Sequence, residues 1–549
     1  MTADKIWKEY TRGKDWLEKF GYYDTAEKCY NYYVGNQWAG LKSNEDMPML
    51  NIIKPIVDYK VSVVNSDGYT INYTSMDYSE TKDQTEYCIK LLNNTASQLW
   101  ERLKMDSELW EYSRKACVYG DAYIYFFHDG DKIQSRMVEN TAIMFADEQQ
   151  FDLQKQKYIL IIQRKLISEI KREAELNGVD PADIIADKDT QNIIGVQAKE
   201  EVEQDEDGKA ICIKRFWLEN GELHYTESTR NTVYIPERVI TGMEVYPIAR
   251  LVWQRGQGIA RGIGEVQYMI PNQTEINKSL ARQSVIIKQF AFPHIVYDKT
   301  RLDSTAINAL NKVGSAIGVD NNAVVKIKEI IDYLYAPTIP GDSFNFSTSL
   351  ATQTRELAGA SESATGQINP ERASGAAIIA VQEAAALPLS TQESNVKQFI
   401  EDIANIWLNL WAVYTDAEGL NTYEETEDEQ MIPAIIPIEA FDELDIVVKV
   451  DVSPADPYSK FSREQTLENL LQAGHISFEE YVKALPDDAV APKATFEKIL
   501  SQRGQGITDE MLLEQDGRLE SQNATIEELL NANAELQNKL REVSGGVSR

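Results

Sequence analysis

The chain has 549 residues, room for three or four units at about 150 residues each, and its 43 % hydrophobic share supports packed cores rather than a disordered chain. Lys and Arg number 55 against 87 Asp and Glu, a formal charge of −32. That balance argues against a protein that wraps nucleic acid, whose Lys and Arg must replace phosphate counterions; any DNA met by this chain would be held loosely.

The four cysteines, Cys29, Cys88, Cys117 and Cys212, are far apart and form no C-x-x-C pair, so they read as buried thiols in a reducing compartment. There is no signal-peptide pattern. The longest apolar runs, such as 158–162, fall far short of the ~20 residues that cross a bilayer. The chain therefore reads as soluble and made in the cytoplasm.

The first forty residues are rich in aromatics and read as a helical start. A long helix is expected over about 82–118, with Thr81 and Gln84 as a capping box and a possible restart at Asp106-Ser107. The period then changes. "AYIYFFHDGDKIQSRMV" reads as two strands around Asp129-Gly130. "ICIKRFWLENGELHYTES" reads as a hairpin, because Asn220-Gly221 supplies the two positive-φ positions of a tight turn. "KYILIIQRKL" and "VYPIARLVW" add strands, so 120–255 is a β-rich region carrying a solvated acidic insert at 199–209.

Helical periodicity returns over 264–290, with Pro271 as a first-turn proline and Ile276, Leu280 and Ile287 on one face. Short mixed pieces fill 291–340, and a second helix is expected at about 343–360. A small polar loop follows, then a long helix to about 416. After an acidic loop at 423–430 comes "LDIVVKVDV" (444–452). Its near-continuous β-branched character predicts a central strand paired with strands some 200 residues earlier. Residues 460–510 read as short helices separated by Gly474, Pro486 and Pro492. At the C-terminus Leu519, Ile526, Asn533 and Leu540 recur every seven residues, with Gln522, Leu529, Leu536 and Val543 three later. That heptad pattern predicts a coiled coil with a polar Asn533 at one core position; the bland alternative is an amphipathic helix packed on its own chain.

No catalytic pattern emerges. Neither Gly-Lys pair, Gly13-Lys14 or Gly208-Lys209, has the glycine five residues earlier or the following Ser/Thr of a P-loop. The Gly-rich "RGQGIARGIGE" (255–265) breaks the dinucleotide fingerprint at Arg261 and at Gln267 and reads as a turn between a sheet and a helix. The four histidines are isolated, and neither H-E-x-x-H nor G-x-S-x-G occurs. Asp445 and Asp451 flank a strand, as acids commonly do. The expectation is a protein that is not an enzyme and needs no cofactor or metal.

The most informative stretch is "SESATGQINPERASGAAIIAVQEAAALPLS" (361–390). Asn369-Pro370-Glu371 is a plausible helix start, with a start after Ser374-Gly375 as the alternative, and 362–369 reads as a flexible loop either way. From Ala376 the helix is nearly all small residues, which allow close helix approach. Pro388 removes the bond to Ala384 and crowds its carbonyl, so a kink is expected there. Beyond it Val396, Phe399, Ile400, Ile403, Ile406, Trp407, Leu410 and Trp411 form a core-facing stripe. Taken alone, this could be an ordinary buried helix with a proline kink.

Taken together, "YYVGNQW" (32–38), "NIIKPIVDYKVSVV" (51–64), "YSRKACVYGDAYIYFF" (112–127), "GIGEVQYMIPNQTEINKSLARQ" (262–283) and the 361–385 stretch, in that order, resemble the portal family of tailed bacteriophages, most closely that of long-tailed phages of Gram-positive hosts. The likeness spans roughly 20–460. It implies an α+β, predominantly helical fold with wing, stem, clip and crown, and a ring of about twelve copies at one capsid vertex through which DNA passes. By that likeness 1–255 and 417–457 are the wing, 256–290 and 341–361 the stem helices, and 291–340 the clip. Residues 362–374 are the tunnel loop, 375–416 the kinked channel helix and 458–510 the crown, followed by the coiled coil at 511–543. The implied partners are further copies of the chain, duplex DNA held without sequence specificity, the large terminase subunit, a head–tail adaptor, and the major capsid and scaffolding proteins, with no membrane. The implied location is the virion, after assembly in the host cytoplasm. Gln367, Asn369 and Arg372 are the candidate DNA contacts, although Arg372 could instead pair with Glu371 or Glu362 of a neighbouring subunit. The competing readings are a coiled-coil virion or scaffold protein without a channel, and an unrecognised metal-dependent enzyme.

Overall fold

The computed structural model describes residues 1–41, 47–66, 68–75, 82–130, 132–189, 198–202, 208–290, 294–297, 331–334, 341–360, 384, 387–415, 419–425, 431–437, 441, 446–453, 467, 470–471 and 474–485. The chain divides into two compact units, Met1–Ser453 and Pro454–Arg549.

The first unit mixes helices with antiparallel strands. It opens with α1 (Ala3–Phe20) and α2 (Tyr22–Val34), separated by Gly21 in the left-handed conformation, and α3 (Ile53–Val64). Strand β1 (Gly68–Ser75) follows. The single long helix expected over 82–118 is two, α4 (Lys82–Arg102) and α5 (Met105–Tyr119). The break falls at Lys104, which adopts φ 54°, a conformation the apolar periodicity gives no hint of.

The β-rich stretch is built much as its alternation suggests. Strands β2 (Asp121–Asp129) and β3 (Lys132–Val138) pair around Gly130. Next come β4 (Ile143–Phe145), β5 (Ile159–Leu166), α6 (Ile167–Leu176), β6 (Ala186–Asp189) and β7 (Ala198–Val202). After them β8 (Lys209–Glu219) and β9 (Glu222–Ser228) form the Asn220-Gly221 hairpin, with φ 57° and 82° at the turn. Strands β10 (Val233–Ile240) and β11 (Ile248–Val252) complete the region. The order is β10-β9-β8-β5-β4 in one sheet and β11-β2-β3 in another.

Helix α7 (Glu265–Phe290) leads to β12 (His294–Tyr297), which pairs antiparallel with β13 (Ile331–Leu334) before α8 (Gly341–Leu357). Pro271 is not a first-turn proline. It lies inside α7, which starts at Glu265, and removes one internal hydrogen bond.

The core of this unit is assembled around α9 (Ser390–Tyr414). All eight residues of its apolar stripe are buried, Phe399, Ile400, Ile403 and Trp407 completely. Trp407 meets Phe126 and Trp100 edge-on at 5.9 and 6.4 Å, and Tyr112 packs on Phe399. The Tyr73 hydroxyl donates to the Ala404 carbonyl at 2.9 Å, tying β1 to the middle of α9.

Strands β14 (Leu420–Glu425) and β15 (Met431–Ile436) then form a hairpin whose first strand takes up the start of the acidic segment read as loop. The last strand, β16 (Ile446–Ser453), pairs with β1 in full antiparallel register from Gly68↔Ser453 to Ser75↔Ile446. The chain does return to its N-terminal unit. Its partner, however, is β1 rather than the strands of 120–255, and among the described residues the ladder has two strands, not a central position in a wide sheet.

In the second unit the described residues centre on α10 (Phe478–Ala484). Ser477 and Glu480 form a reciprocal capping box, and Tyr481, Val482 and Leu485 pack with Leu467 and Leu471.

Candidate functional site at the root of the helix pair

Helices α7 and α8 pack against each other within the first unit. Asn272 Nδ2 donates to Thr354 Oγ1 at 3.1 Å, and further along Gln283 donates to Ser347 Oγ at 3.4 Å, so the helices run antiparallel. Ala351 packs with Ile276, Leu280 and Leu350, and Ser347 and Thr354 on α8 are buried beside them in the chain. Small side chains there bring the backbones close without a broad greasy seam.

The root of this pair is fixed by buried hydrogen bonds. Gln273 is fully buried; its Oε1 accepts from Ile52 N at 3.0 Å, and its Nε2 donates to Leu50 O at 2.7 Å and Asn277 Oδ1 at 2.9 Å. Asn277 Nδ2 in turn donates to Gln37 Oε1 at 2.6 Å, and Tyr32 and Thr274 hydroxyls meet at 2.6 Å. Two separate motifs, the Asn36-Gln37-Trp38 end of "YYVGNQW" and "PNQTEIN", are thus one network. At the first turn of α7 the Glu265 carboxylate accepts from Lys60 Nζ at 2.6 Å and Trp253 Nε1 at 3.2 Å. A carboxylate suits the positive end of the helix. A buried amide that lost these partners would strand donors and acceptors at about 1–3 kcal/mol each, so the network sets one angle for α7.

The glycine-rich turn before α7 is a packed seam. A Cβ on Gly262 would lie 2.0 Å from the Gly120 carbonyl oxygen, and Gly120 itself has φ 109°. Between these backbones Arg261 is fully buried. Its guanidinium holds Glu148 through Nε at 2.9 Å and Nη2 at 2.8 Å, and donates to the carbonyls of Asn140 and Ile143 at 2.9 and 2.8 Å. Burial alone would lower the Arg261 pKa, but the adjacent Glu148 carboxylate holds it well above the ordinary value. Nearby, burial raises Asp121 despite Arg261 and the Gly262 N–H, which donates to it at 3.2 Å.

A family model described as "Phage portal protein, SPP1 Gp6-like" matches residues 18–502. The chain belongs to the phage portal protein family. A search of curated proteins found no match. In this portal protein the whole root network, from Tyr32 to Thr354, lies inside the matched span. The family is structural rather than enzymatic. Among the described residues no group of three or more His, Cys, Asp or Glu is placed to hold a metal, and no helix is long and apolar enough to cross a membrane.

Of the residues singled out from sequence, Pro388 is described. It sits in a single 3-10 turn, Leu387–Leu389, that enters α9 at Ser390, with Leu389 buried in the main core. The helix expected to precede it, 375–386, lies outside the described residues apart from Ala384. Gln367, Asn369 and Arg372 also lie outside them, as do Leu519, Ile526, Leu529, Asn533, Leu536 and Leu540 of the expected coiled coil. Of the apolar face expected on α7, Ile276 is buried and Leu280 packs beside it, whereas Ile287 is 55 % exposed. Tyr268, Phe346 and Leu357 on the same pair are also at least half exposed. All four cysteines are buried and unpaired.

Proposed function

We propose that this portal protein forms a ring of about twelve copies by repeating one head-to-tail contact around an axis, and that the ring is the conduit for DNA during packaging and ejection. Residues 1–255 and 417–457 serve as the wing, 256–290 and 341–361 with α7 and α8 as the stem, 291–340 as the clip, 362–374 as the tunnel loop, 375–416 as the channel helix, 458–510 as the crown, and 511–543 as a coiled coil. The clip docks first the large terminase subunit and then a head–tail adaptor; the wing meets major capsid and scaffolding proteins. The observation that carries the reading is the α7–α8 pair: rigidly rooted at one end, yet leaving Tyr268, Ile287, Phe346 and Leu357 exposed. Exposed large apolar side chains on a helical pair offer contact area to a partner, and a neighbouring copy is the occupant a ring requires. The charge of −32 per copy suits a channel, because it repels phosphate and keeps DNA from sticking.

Shortening 364–373, which removes Gln367, Asn369 and Arg372, tests this directly. Assembly is expected to stay intact while DNA packaging or retention falls. Loss of the assembly itself would make that loop structural and overturn its role in touching DNA.

A further inference from the structure

One concave surface of the first unit runs against the charge of the chain. A groove of about 580 Å³ opens between β3, β5, α6 and β8. That volume falls within the range of small-molecule sites, about 300–1,000 Å³. Six Lys or Arg and three Glu line it, a surplus of three positive charges on a chain of −32.

The inner cations are matched inside the fold. Lys165 meets Glu227 at 3.0 Å and Glu173 at 3.1 Å, and Lys214 meets Glu227 at 3.3 Å. Glu227 also accepts from the Tyr234 hydroxyl. These contacts engage two of the three acids and fix the floor. The outer cations are left over. Arg136 on β3 is held across the groove by donating to Gln163 Oε1 on β5 at 2.7 Å. The register sets Lys209 opposite Leu166, the residue before α6 begins, and so brings it beside the helix that carries Arg172. Arg172 and Lys209 are exposed, and among the described residues neither side chain has a carboxylate partner. Glu169 is the one acid of the lining outside the inner pairs.

We infer that this groove is a phosphate-binding site, taking the phosphoryl groups of a nucleic-acid backbone or of a free oligophosphate on Arg136, Arg172 and Lys209. Phosphate offers several acceptor oxygens that cations from different elements can share, and an arginine fork matches two of them at once. A lone carboxylate is answered by one such fork and leaves the other cations unmet. The charge of the rest of the chain repels anions, so a concave surplus of the opposite sign draws them to one place. The site lies within one copy. It stands apart from the ring reading, and its test needs no assembly.

The purified full-length protein is titrated with pyrophosphate by calorimetry, and a fluorescein-labelled DNA duplex is followed by anisotropy in the same buffer. Arg172→Gln/Lys209→Gln is expected to weaken pyrophosphate about tenfold or more. Glu169→Gln removes the opposing charge and is expected to tighten it about threefold, a gain that a merely structural role would not produce. Lys5→Gln/Lys19→Gln, an equal loss of charge at exposed positions on α1 outside the groove, is expected to change it less than about twofold. Duplex that binds and is displaced by pyrophosphate would support the site with a nucleic-acid backbone as the source. Pyrophosphate binding without duplex binding would support it with a free oligophosphate as the source. A pyrophosphate Kd weaker than about 10 mM, or equal weakening by the α1 pair, would overturn the inference. Polyglutamate that binds and is not displaced by pyrophosphate would assign the groove to an acidic protein and overturn it as well.

Discussion

Arg261→Met is the sharpest test of what holds the seam beneath α7. The side chain is completely buried and makes four hydrogen bonds, two to Glu148 and one each to the carbonyls of Asn140 and Ile143. Methionine fills similar volume and carries no charge. It leaves Glu148, itself 6 % exposed, as an uncompensated buried carboxylate. Breaking one side of such a pair costs about 3–5 kcal/mol, and two carbonyls that lose a charged donor add roughly 1 kcal/mol each. The expected loss is about 5–7 kcal/mol. The double variant Arg261→Met/Glu148→Leu removes both charges, and its loss should fall at least about 2 kcal/mol below the sum of the single losses. Arg261→Lys should recover little, because an ammonium cannot span a carboxylate and two carbonyls with one planar fork. Urea unfolding followed by tryptophan fluorescence reads all of these, with Trp253 a few residues away. A single variant within about 1 kcal/mol of wild type, or strict additivity in the pair, would show that the buried ion pair is not what holds the seam.

Other consequences are as direct. Gly262→Ala places a Cβ 2.0 Å from a backbone oxygen that cannot swing aside, so a loss of about 3 kcal/mol is expected in the same assay; Gly258→Ala, with open space around it but a φ of 69°, should lose only the backbone strain of about 1 kcal/mol. The Asp402 carboxyl is pushed up to about 6, mainly by burial. Its folded pKa therefore exceeds its unfolded value, so the stabilisation it gives is complete below about pH 4 and is lost as pH rises through 6. Asp402→Asn should accordingly gain about 1–2 kcal/mol at pH 8 and almost nothing at pH 4; an equal gain at both would locate the effect elsewhere. Burial raises the thiols of Cys29 and Cys212 to about 12 and holds that of Cys117 well above the ordinary thiol value. A disulfide reagent should titrate essentially none of the four cysteines in the native protein and all four in denaturant, and fast native reaction would contradict the packing.

Much of the fold can be read locally. The α9 stripe declares itself through spacing, and the Asn220-Gly221 hairpin through two residues that tolerate positive φ. What escapes the sequence is non-local or concerns polar groups. A β-branched run such as 446–453 announces a strand but not its partner, and β1 lies about as far away in the chain as a partner could. The break at Lys104 is signalled only by the possible restart at Asp106-Ser107, because apolar periodicity continues on both sides of it. Pro271 looks like a start signal, yet α7 accepts it internally. At the candidate site Gln37, Gln273, Asn277, Glu148 and Arg261 pass as surface residues, since such side chains are usually solvated. Only their mutual hydrogen bonds make them core, and the available hint is polar residues at helical spacing within otherwise apolar faces.

The proposed function turns on whether copies of this chain close into a ring around a channel, and electron microscopy of the purified full-length protein decides it. Rings of one size are expected, about twelvefold in rotational symmetry, with a central opening wide enough for duplex DNA, or the same rings when capsid and scaffolding proteins are supplied. Monomers or elongated rods under both conditions would contradict the ring and favour a coiled-coil scaffold without a channel.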